Sequence, residues 1–253
     1  MMDFRKRIQS GAFMAGTWCS LGSPSITELI GFCGFDWVLL DGEHAPSTTP
    51  GLMAQMQALN GSSTSSIVRI PWLDRVHIKW ALDIGAEGIM VPYVENAEQA
   101  MEAVSYMKYP PNGARGVAGA MRACRYGLDV AGYLAQADSK HAAIVQIENR
   151  QGVDNCRSIA GVDGVDVLFV GPMDLSMSLG MPGRFSDPCF MEVLEQIASA
   201  AREEGKASGI LLPSVELLPV MRKMGYSFIA VSSDINLLAK NFKKLIGDMN
   251  SVG

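Results

Sequence analysis

Phe35-Asp36-Trp37-Val38-Leu39-Leu40-Asp41-Gly42-Glu43-His44-Ala45-Pro46 is a short apolar run that ends abruptly in two acids and an imidazole. Residues 37–40 are too few for an ordinary helix and are followed by turn-forming residues, so they read as a strand. No polar residue interrupts residues 37–40. A strand of that kind is buried on both faces, as in parallel sheets covered by helices. Its end delivers Asp41, Glu43 and His44 into one turn, a setting suited to proton transfer. The alternative is a surface loop in which Asp41 and Glu43 cap the next helix and His44 is solvated.

Working outward, the same unit recurs along the chain. Strand-like runs fall at residues 15–21, 37–40, 67–70, 88–91, 142–147, 165–170, 208–212 and 228–231. Helical spacing separates many of them, at residues 25–32, 52–59, 74–84, 97–107, 130–137, 191–204 and 236–249. Eight strands in series with helical connections predict a closed parallel barrel, (β/α)8, as one domain over residues 1–253. Its usual size is about 250 residues. An open doubly wound sheet is the alternative, but Gly22-Ser23-Pro24 after the first strand lacks G-x-G-x-x-G. Residues 109–127, rich in Pro, Gly and Arg, break the pattern and are too long for a minimal connector.

In such barrels the chemistry sits at the C-terminal strand ends. The second strand ends in Asp41, Glu43 and His44, the third in Arg69, the fifth in Gln146 and Glu148. The sixth leads through Gly171-Pro172-Met173 to Asp174. Each has a mundane reading: Arg69 as a surface charge, Glu148 as a helix-start acid, Asp174 as the N-cap of a helix at residues 175–179. Together they place several polar groups at one mouth. Glu148 and Asp174, from adjacent strands, suit a hard divalent cation such as Mg²⁺, which takes one or two protein carboxylates. Backbone amides at Met173 and Asp174, at a helix start, suit a carboxylate.

Composition narrows the partners. The chain is 48% apolar and 19% charged, with a net charge of −5. That argues against nucleic acid and for a small-molecule ligand. Five cysteines, with no C-x-x-C pair, fit neither a disulfide framework nor a zinc ribbon. No run of ~18 apolar residues suggests a membrane span. The chain therefore reads as soluble and cytoplasmic.

Leu40-Asp41-Gly42-Glu43-His44-Ala45-Pro46, Val68-Arg69, Gly85-Ala86-Glu87-Gly88-Ile89-Met90-Val91-Pro92, Gln146-Ile147-Glu148 and Gly171-Pro172-Met173-Asp174-Leu175-Ser176 occur in an order that resembles the HpcH/HpaI aldolase family. The resemblance spans nearly the whole chain. It implies a class II pyruvate aldolase in which Glu148 and Asp174 hold Mg²⁺, Mn²⁺ or Co²⁺ and pyruvate chelates the metal. Arg69 would bind the keto or enolate oxygen, and Gln146 would help hold pyruvate. His44 would transfer a proton, paired with Asp83 from a neighbouring subunit, and Asp41 and Glu43 match acids close to the catalytic groups. It further implies a homo-oligomer, a hexamer built as a trimer of dimers, with the C-terminal helix exchanged between subunits. Two departures bear on substrate range. Met173 stands where smaller or polar residues are common, and Ser232-Ser233-Asp234 replaces a glycine-containing turn.

The residues support that chemistry independently. A dication and a permanent planar guanidinium, aimed at a keto oxygen, stabilise an enolate. His77 and His141 lie away from strand ends, leaving His44 as the base candidate. A Schiff-base route needs a lysine at the mouth, whereas Lys79, Lys108, Lys140 and Lys206 fall in helices or loops or at the opposite strand ends. The expected reaction is reversible cleavage of a 4-hydroxy-2-oxo acid to pyruvate and an aldehyde. An oxaloacetate decarboxylase using the same site is one alternative, and a non-catalytic barrel that binds a small acid is another. Arg115, Arg122 and Arg125, in the long loop, would bind an acidic aldehyde, close over the site, or form a solvated loop or subunit contact. The apolar residues Leu237, Leu238, Phe242, Leu245 and Ile246 would cover either this chain's own barrel or a partner's.

Overall fold

Strands and helices alternate through the computed structural model, which describes residues 3–251. The strands are β1 (Met14–Cys19), β2 (Trp37–Asp41), β3 (Ser65–Arg69), β4 (Gly88–Val91), β5 (Ala142–Ile147), β6 (Val167–Val170), β7 (Ala207–Leu212) and β8 (Phe228–Ser233). The helices are α1 (Phe4–Gln9), α2 (Pro24–Phe32), α3 (Thr49–Ala58), α4 (Arg75–Asp83), α5 (Ala97–Met107), α6 (Val130–Lys140), α7 (Arg150–Asp154), α8 (Cys156–Ala160), α9 (Pro172–Ser178), α10 (Pro188–Glu203), α11 (Leu218–Met224) and α12 (Asp234–Ser251). The strands pair in chain order, all parallel, and β8 closes on β1. The expected (β/α)8 barrel is the observed fold. Short helices α1, α7, α8 and α11 lie outside the expected set, because helices of five to seven residues carry too few turns to show a period.

The two-residue period of a strand sorts the core into two layers. Trp37 and Leu39 of β2, Ile67 of β3, Ile144 of β5, Phe169 of β6, and Phe228 and Ala230 of β8 share the cluster inside the barrel. Their neighbours Val38, Leu40, Val68, Val145, Leu168 and Val170 pack outward against the helices. Phe4 and Ile8 of α1 join the inner cluster, so the barrel is filled from its base. Large aromatics dictate small partners. Trp37 stacks on Phe228 with ring centroids 4.1 Å apart, and a Cβ at Gly16 would lie 2.1 Å from the Trp37 ring. Continuing the inward parity by one step past the apolar residues reaches Asp41, Arg69, Gln146 and Glu148. The same alternation that builds the core therefore turns these four toward one mouth.

His141 is one of the histidines the sequence sets aside. It is buried just before β5, with Nδ1 3.0 Å from the Ala86 carbonyl and Nε2 3.0 Å from the Tyr133 hydroxyl. A carbonyl only accepts, so Nδ1 carries the proton and Nε2 accepts from Tyr133. Burial, reinforced by the nearby Arg115 charge, pushes the pKa down to about 3. The folded value lies below the ordinary ~6.5, so stability from the neutral ring is complete above pH 6.5 and lost as pH falls toward 3. We expect a loss of about 2 kcal/mol between pH 7 and pH 5 from this residue, at about 1.4 kcal/mol per pH unit. Urea unfolding should show that slope flattened in His141→Gln; an equally steep profile in the variant would contradict the assignment.

Two alternatives left open by the sequence are narrowed. Arg115 is buried, its NH2 2.7 Å from Asp83 Oδ1 and its guanidinium 4.6 Å from the Tyr109 ring centroid. Arg122 NH1 donates to the Ile84 carbonyl at 2.7 Å. Both therefore pack against the C-terminal end of α4, at the base of the barrel, and not over this chain's own mouth. The last helix does not cover its own barrel either. Beyond Asp234, α12 is exposed along nearly its whole length, with Leu237, Phe242, Leu245, Ile246 and Met249 in solvent. Among the described residues, no helix is long and apolar enough to cross a membrane.

Candidate active site

Asp41 closes β2 and Arg69 closes β3, and the two are directly paired across the ladder. Arg69 Nε and NH2 donate to Asp41 Oδ1 and Oδ2 at 2.9 and 2.7 Å, a bidentate fork. Arg69 NH1 lies 2.7 Å from Glu43 Oε2. That approach is an ion pair without hydrogen-bond geometry, and Glu43 Oε2 is otherwise unpartnered. Arg69 also sits 5.4 Å from the Trp18 ring centroid, on the inner face of β1. Asp41 and Arg69 are 2% and 7% exposed, so neither is a surface charge. Asp41 and Glu43 do not cap α3; Thr48 does. Instead Asp41 Oδ1 accepts from the Glu43 and His44 amides, which shapes the turn that carries His44. His44 Nε2 is 3.7 Å from Glu43 Oε2, and its side chain is 67% exposed.

Glu148 and Asp174 form the second part. Glu148 is 2% exposed. Its Oε1 accepts from the Tyr93 amide at 2.8 Å and its Oε2 from Gln146 Nε2 at 3.0 Å. Burial above all, together with Asp174 and Glu43, pushes its pKa up to about 7, against the Tyr93 hydrogen bond. Burial likewise raises Glu43, partly offset by Arg69. Asp174 lies in the first turn of α9, where the cap is Gly171, so it is not the N-cap of a helix at residues 175–179. A side chain at Gly171 would put Cβ 2.3 Å from Glu148 Oε2. Glycine there makes room for the carboxylate rather than for a ligand.

Tyr93 is the site residue that sequence reasoning missed. Its backbone amide holds Glu148, and its hydroxyl donates to Asp174 Oδ1 at 3.2 Å. It adopts a φ of 51°, in the left-handed region, and so one residue bridges both acids. Burial and the Asp174 charge push its hydroxyl up to about 12, which keeps it a donor. The available signal was its place two residues past Val91, the end of β4.

The donor set is chemically coherent. Among the described residues, no three His, Cys, Asp or Glu side chains gather as a ready-made metal cluster. Two acids converge, and the carbonyl Oε1 of Gln146 is buried without a partner. Such hard oxygens, with excess negative charge, fit a Mg²⁺-type ion that keeps several positions for water or substrate.

Beside the acids lies a cavity of about 330 Å³ lined by Trp18, Asp41, His44, Arg69, Met173 and Phe185, among others. Met173 lines it from an exposed rim. The structure thus brings together Asp41, His44, Arg69, Gln146, Glu148, Met173 and Asp174. Asp83 is not among them. It ends α4 at the base of the barrel, so any role beside His44 requires Asp83 of a second copy.

Comparison with known proteins adds a family. The model of the HpcH/HpaI aldolase/citrate lyase family matches residues 14–241. A 5-keto-4-deoxy-D-glucarate aldolase of Klebsiella pneumoniae is 41% identical over 242 residues, 96% of this chain and 94% of the relative. A family protein from Burkholderia cenocepacia has a TM-score of 0.93 at 34% identity, covering 97% of this chain and 98% of its own. An aldolase of the family from Desulfitobacterium hafniense has a TM-score of 0.91 at 31% identity, covering 98% and 97%.

Proposed function

The chain belongs to the HpcH/HpaI aldolase/citrate lyase family and is an aldolase, a carbon–carbon lyase; from that premise we propose that it cleaves a 4-hydroxy-2-oxo acid reversibly to pyruvate and an aldehyde. The observation that carries this reading is the convergence of Glu148 and Asp174, bridged by Tyr93, near Arg69, which itself lines a cavity of about 330 Å³. A cavity of that size has room for an aldehyde beside the 2-oxo acid, which a decarboxylase would not need. 5-Keto-4-deoxy-D-glucarate, named for the relative, has the same 4-hydroxy-2-oxo arrangement when numbered from its keto end.

Glu148 and Asp174 would hold a divalent cation, Mg²⁺, Mn²⁺ or Co²⁺, whose charge polarises the keto group and acidifies the adjacent methyl. Gln146, through its unpartnered Oε1 or its amide, orients the same end of the substrate. The amides of Met173 and Asp174, free of intrahelical partners in the first turn, meet the pyruvate carboxylate. Arg69 is held in place by Asp41 and Glu43, and its guanidinium stabilises the oxygen on which charge develops. In the synthetic direction a proton leaves the pyruvate methyl. A carbon–carbon bond then forms to the aldehyde carbon, and the aldehyde oxygen takes up a proton. His44 serves as the proton-transfer group at the mouth, assisted by Asp83 of a second copy. The exposed apolar face of α12 supports its exchange with a neighbouring copy in a homo-oligomer, a hexamer.

Deuterium exchange into the pyruvate methyl, followed by NMR with EDTA or with Mg²⁺ or Mn²⁺, tests this reading. Exchange that requires the metal is expected. No exchange with any metal would overturn the proposal. His44→Ala should slow exchange by about 10²-fold while pyruvate still binds, and an unchanged rate would remove His44 from the proton path.

A further inference from the structure

We propose that Tyr93 is a positioning residue for the cation site, and that the affinity for a divalent cation depends on its hydroxyl, which orients the Asp174 carboxylate. This inference rests on the reading of Glu148 and Asp174 as metal ligands. The two acids are held very differently. Glu148 is buried and has each carboxylate oxygen engaged, Oε1 by the Tyr93 amide and Oε2 by Gln146 Nε2. Asp174 is half-buried in the first turn of α9. Among the described residues its carboxylate accepts one hydrogen bond, from the Tyr93 hydroxyl to Oδ1 at 3.2 Å.

That single contact decides how well the pair is prepared for an ion. An ionised carboxylate only accepts, so the tyrosine must donate, and Oδ2 stays open. A half-buried aspartate is otherwise free to turn toward water, and repulsion from Glu148 favours that turn. The Tyr93 hydroxyl opposes it. A ligand fixed before the ion arrives spares the binding step the cost of ordering it. Groups that orient a metal's carboxylate ligands commonly account for 10–100-fold in affinity.

The backbone supplies a second observation. Tyr93 has a φ of 51°, in the left-handed region that favours glycine. Strained residues of this kind cluster at ligand sites, where the surroundings hold them. Here the surroundings are two successive amides tied to the end of β5. Tyr93 N donates to Glu148 Oε1 at 2.8 Å and Val94 N to the Gln146 carbonyl at 3.1 Å. Glycine at position 93 would place both amides without strain. What tyrosine adds is a ring and a hydroxyl. The Trp72 ring lies against it, with centroids 6.1 Å apart and planes tilted by 31°, and the hydroxyl reaches Asp174.

The test is titration calorimetry of the metal-free protein with Mn²⁺. Tyr93→Phe keeps the ring, the amide and the packing on Trp72, and removes the hydroxyl alone. Its Kd for Mn²⁺ should be weaker by about 10–100-fold, while its thermal unfolding in EDTA stays close to native. Turnover should return toward the native kcat once Mn²⁺ is saturating, as expected of a residue that acts through a ligand. Tyr93→Gly keeps the amide and relieves the strain, and it should lose at least as much affinity. Native affinity in Tyr93→Phe would overturn the inference, because ring packing or the amide would then suffice. A kcat that stays low in Tyr93→Phe at saturating Mn²⁺ would overturn the positioning role. The native protein separates the two levels. If it binds no Mn²⁺, the metal reading falls and this inference with it, whereas native binding that Tyr93→Phe leaves unchanged defeats this inference alone.

Discussion

Glu148→Gln is expected to abolish divalent-cation binding and reduce turnover by at least about 10³-fold, while making the metal-free protein harder to unfold. The two effects share one cause. Glu148 is buried beside Asp174 and Glu43, and its pKa of about 7 reflects the cost of holding a carboxylate there. An amide of the same size carries no charge to desolvate. Gln146, whose Oε1 has no partner, can turn its side chain to accept from the new amide. The stability gain at pH 8 should be about 1–3 kcal/mol. Titration calorimetry with Mn²⁺ and thermal unfolding in EDTA read the two effects separately. A variant that still binds Mn²⁺ at native affinity would remove Glu148 as a ligand. A variant less stable than the native protein in EDTA would contradict the burial argument. Asp174→Ala should lose metal as well, without the gain in stability, because it leaves the Tyr93 hydroxyl without its acceptor.

Arg69→Ala is expected to fail in two ways. One guanidinium is shared by two acids, Asp41 through a bidentate fork and Glu43 through an ion pair. Removing it strands both carboxylates at the end of the barrel core. Breaking one partner out of a buried pair costs about 3–5 kcal/mol, because the remaining charge stays desolvated. Turnover should fall by about 10²–10³-fold through loss of a preorganised charge at the developing oxyanion. Arg69→Lys retains the charge but not the fork, so it should recover part of the stability and little of the activity. Arg69→Met combined with Asp41→Asn separates the roles further, because stability should recover in part, with only Glu43 still stranded, while activity should not. Denaturant unfolding of the single variants checks the first half, and an Arg69→Ala protein as stable as the native one would refute it.

The contrast between these two residues shows how far local pattern reaches. Both Arg69 and Glu148 were legible as site residues because each ends an apolar strand in a chain of repeated strand–helix units. What each touches was not legible. Asp41 lies 28 residues from Arg69 and Tyr93 lies 55 residues from Glu148. Tyr93 was overlooked because a tyrosine after Pro92 carries no charge and breaks no pattern. Arg115 shows the limit from the other side. A basic, glycine- and proline-rich loop left a ligand contact, a solvated loop and a subunit contact open, and aromatic packing and Asp83 draw that arginine into the base of the barrel. The face of α12 read correctly as apolar, but its direction away from the barrel was undetermined, since periodicity identifies a face and not its partner.

By itself, then, the sequence determined the barrel and the polar residues that end its strands at one mouth. Strand periodicity and polar residues at strand ends are local properties, written in consecutive residues. Tertiary structure alone decided that Arg69 is shared between Asp41 and Glu43 and that Tyr93 joins Glu148 and Asp174. It also decided that Ser232 takes a left-handed φ after the body of β8 and that Asp83 stands at the base of its own barrel. Those facts depend on the register at which eight strands close on one another, and closure couples residues far apart in the chain in ways no local window contains.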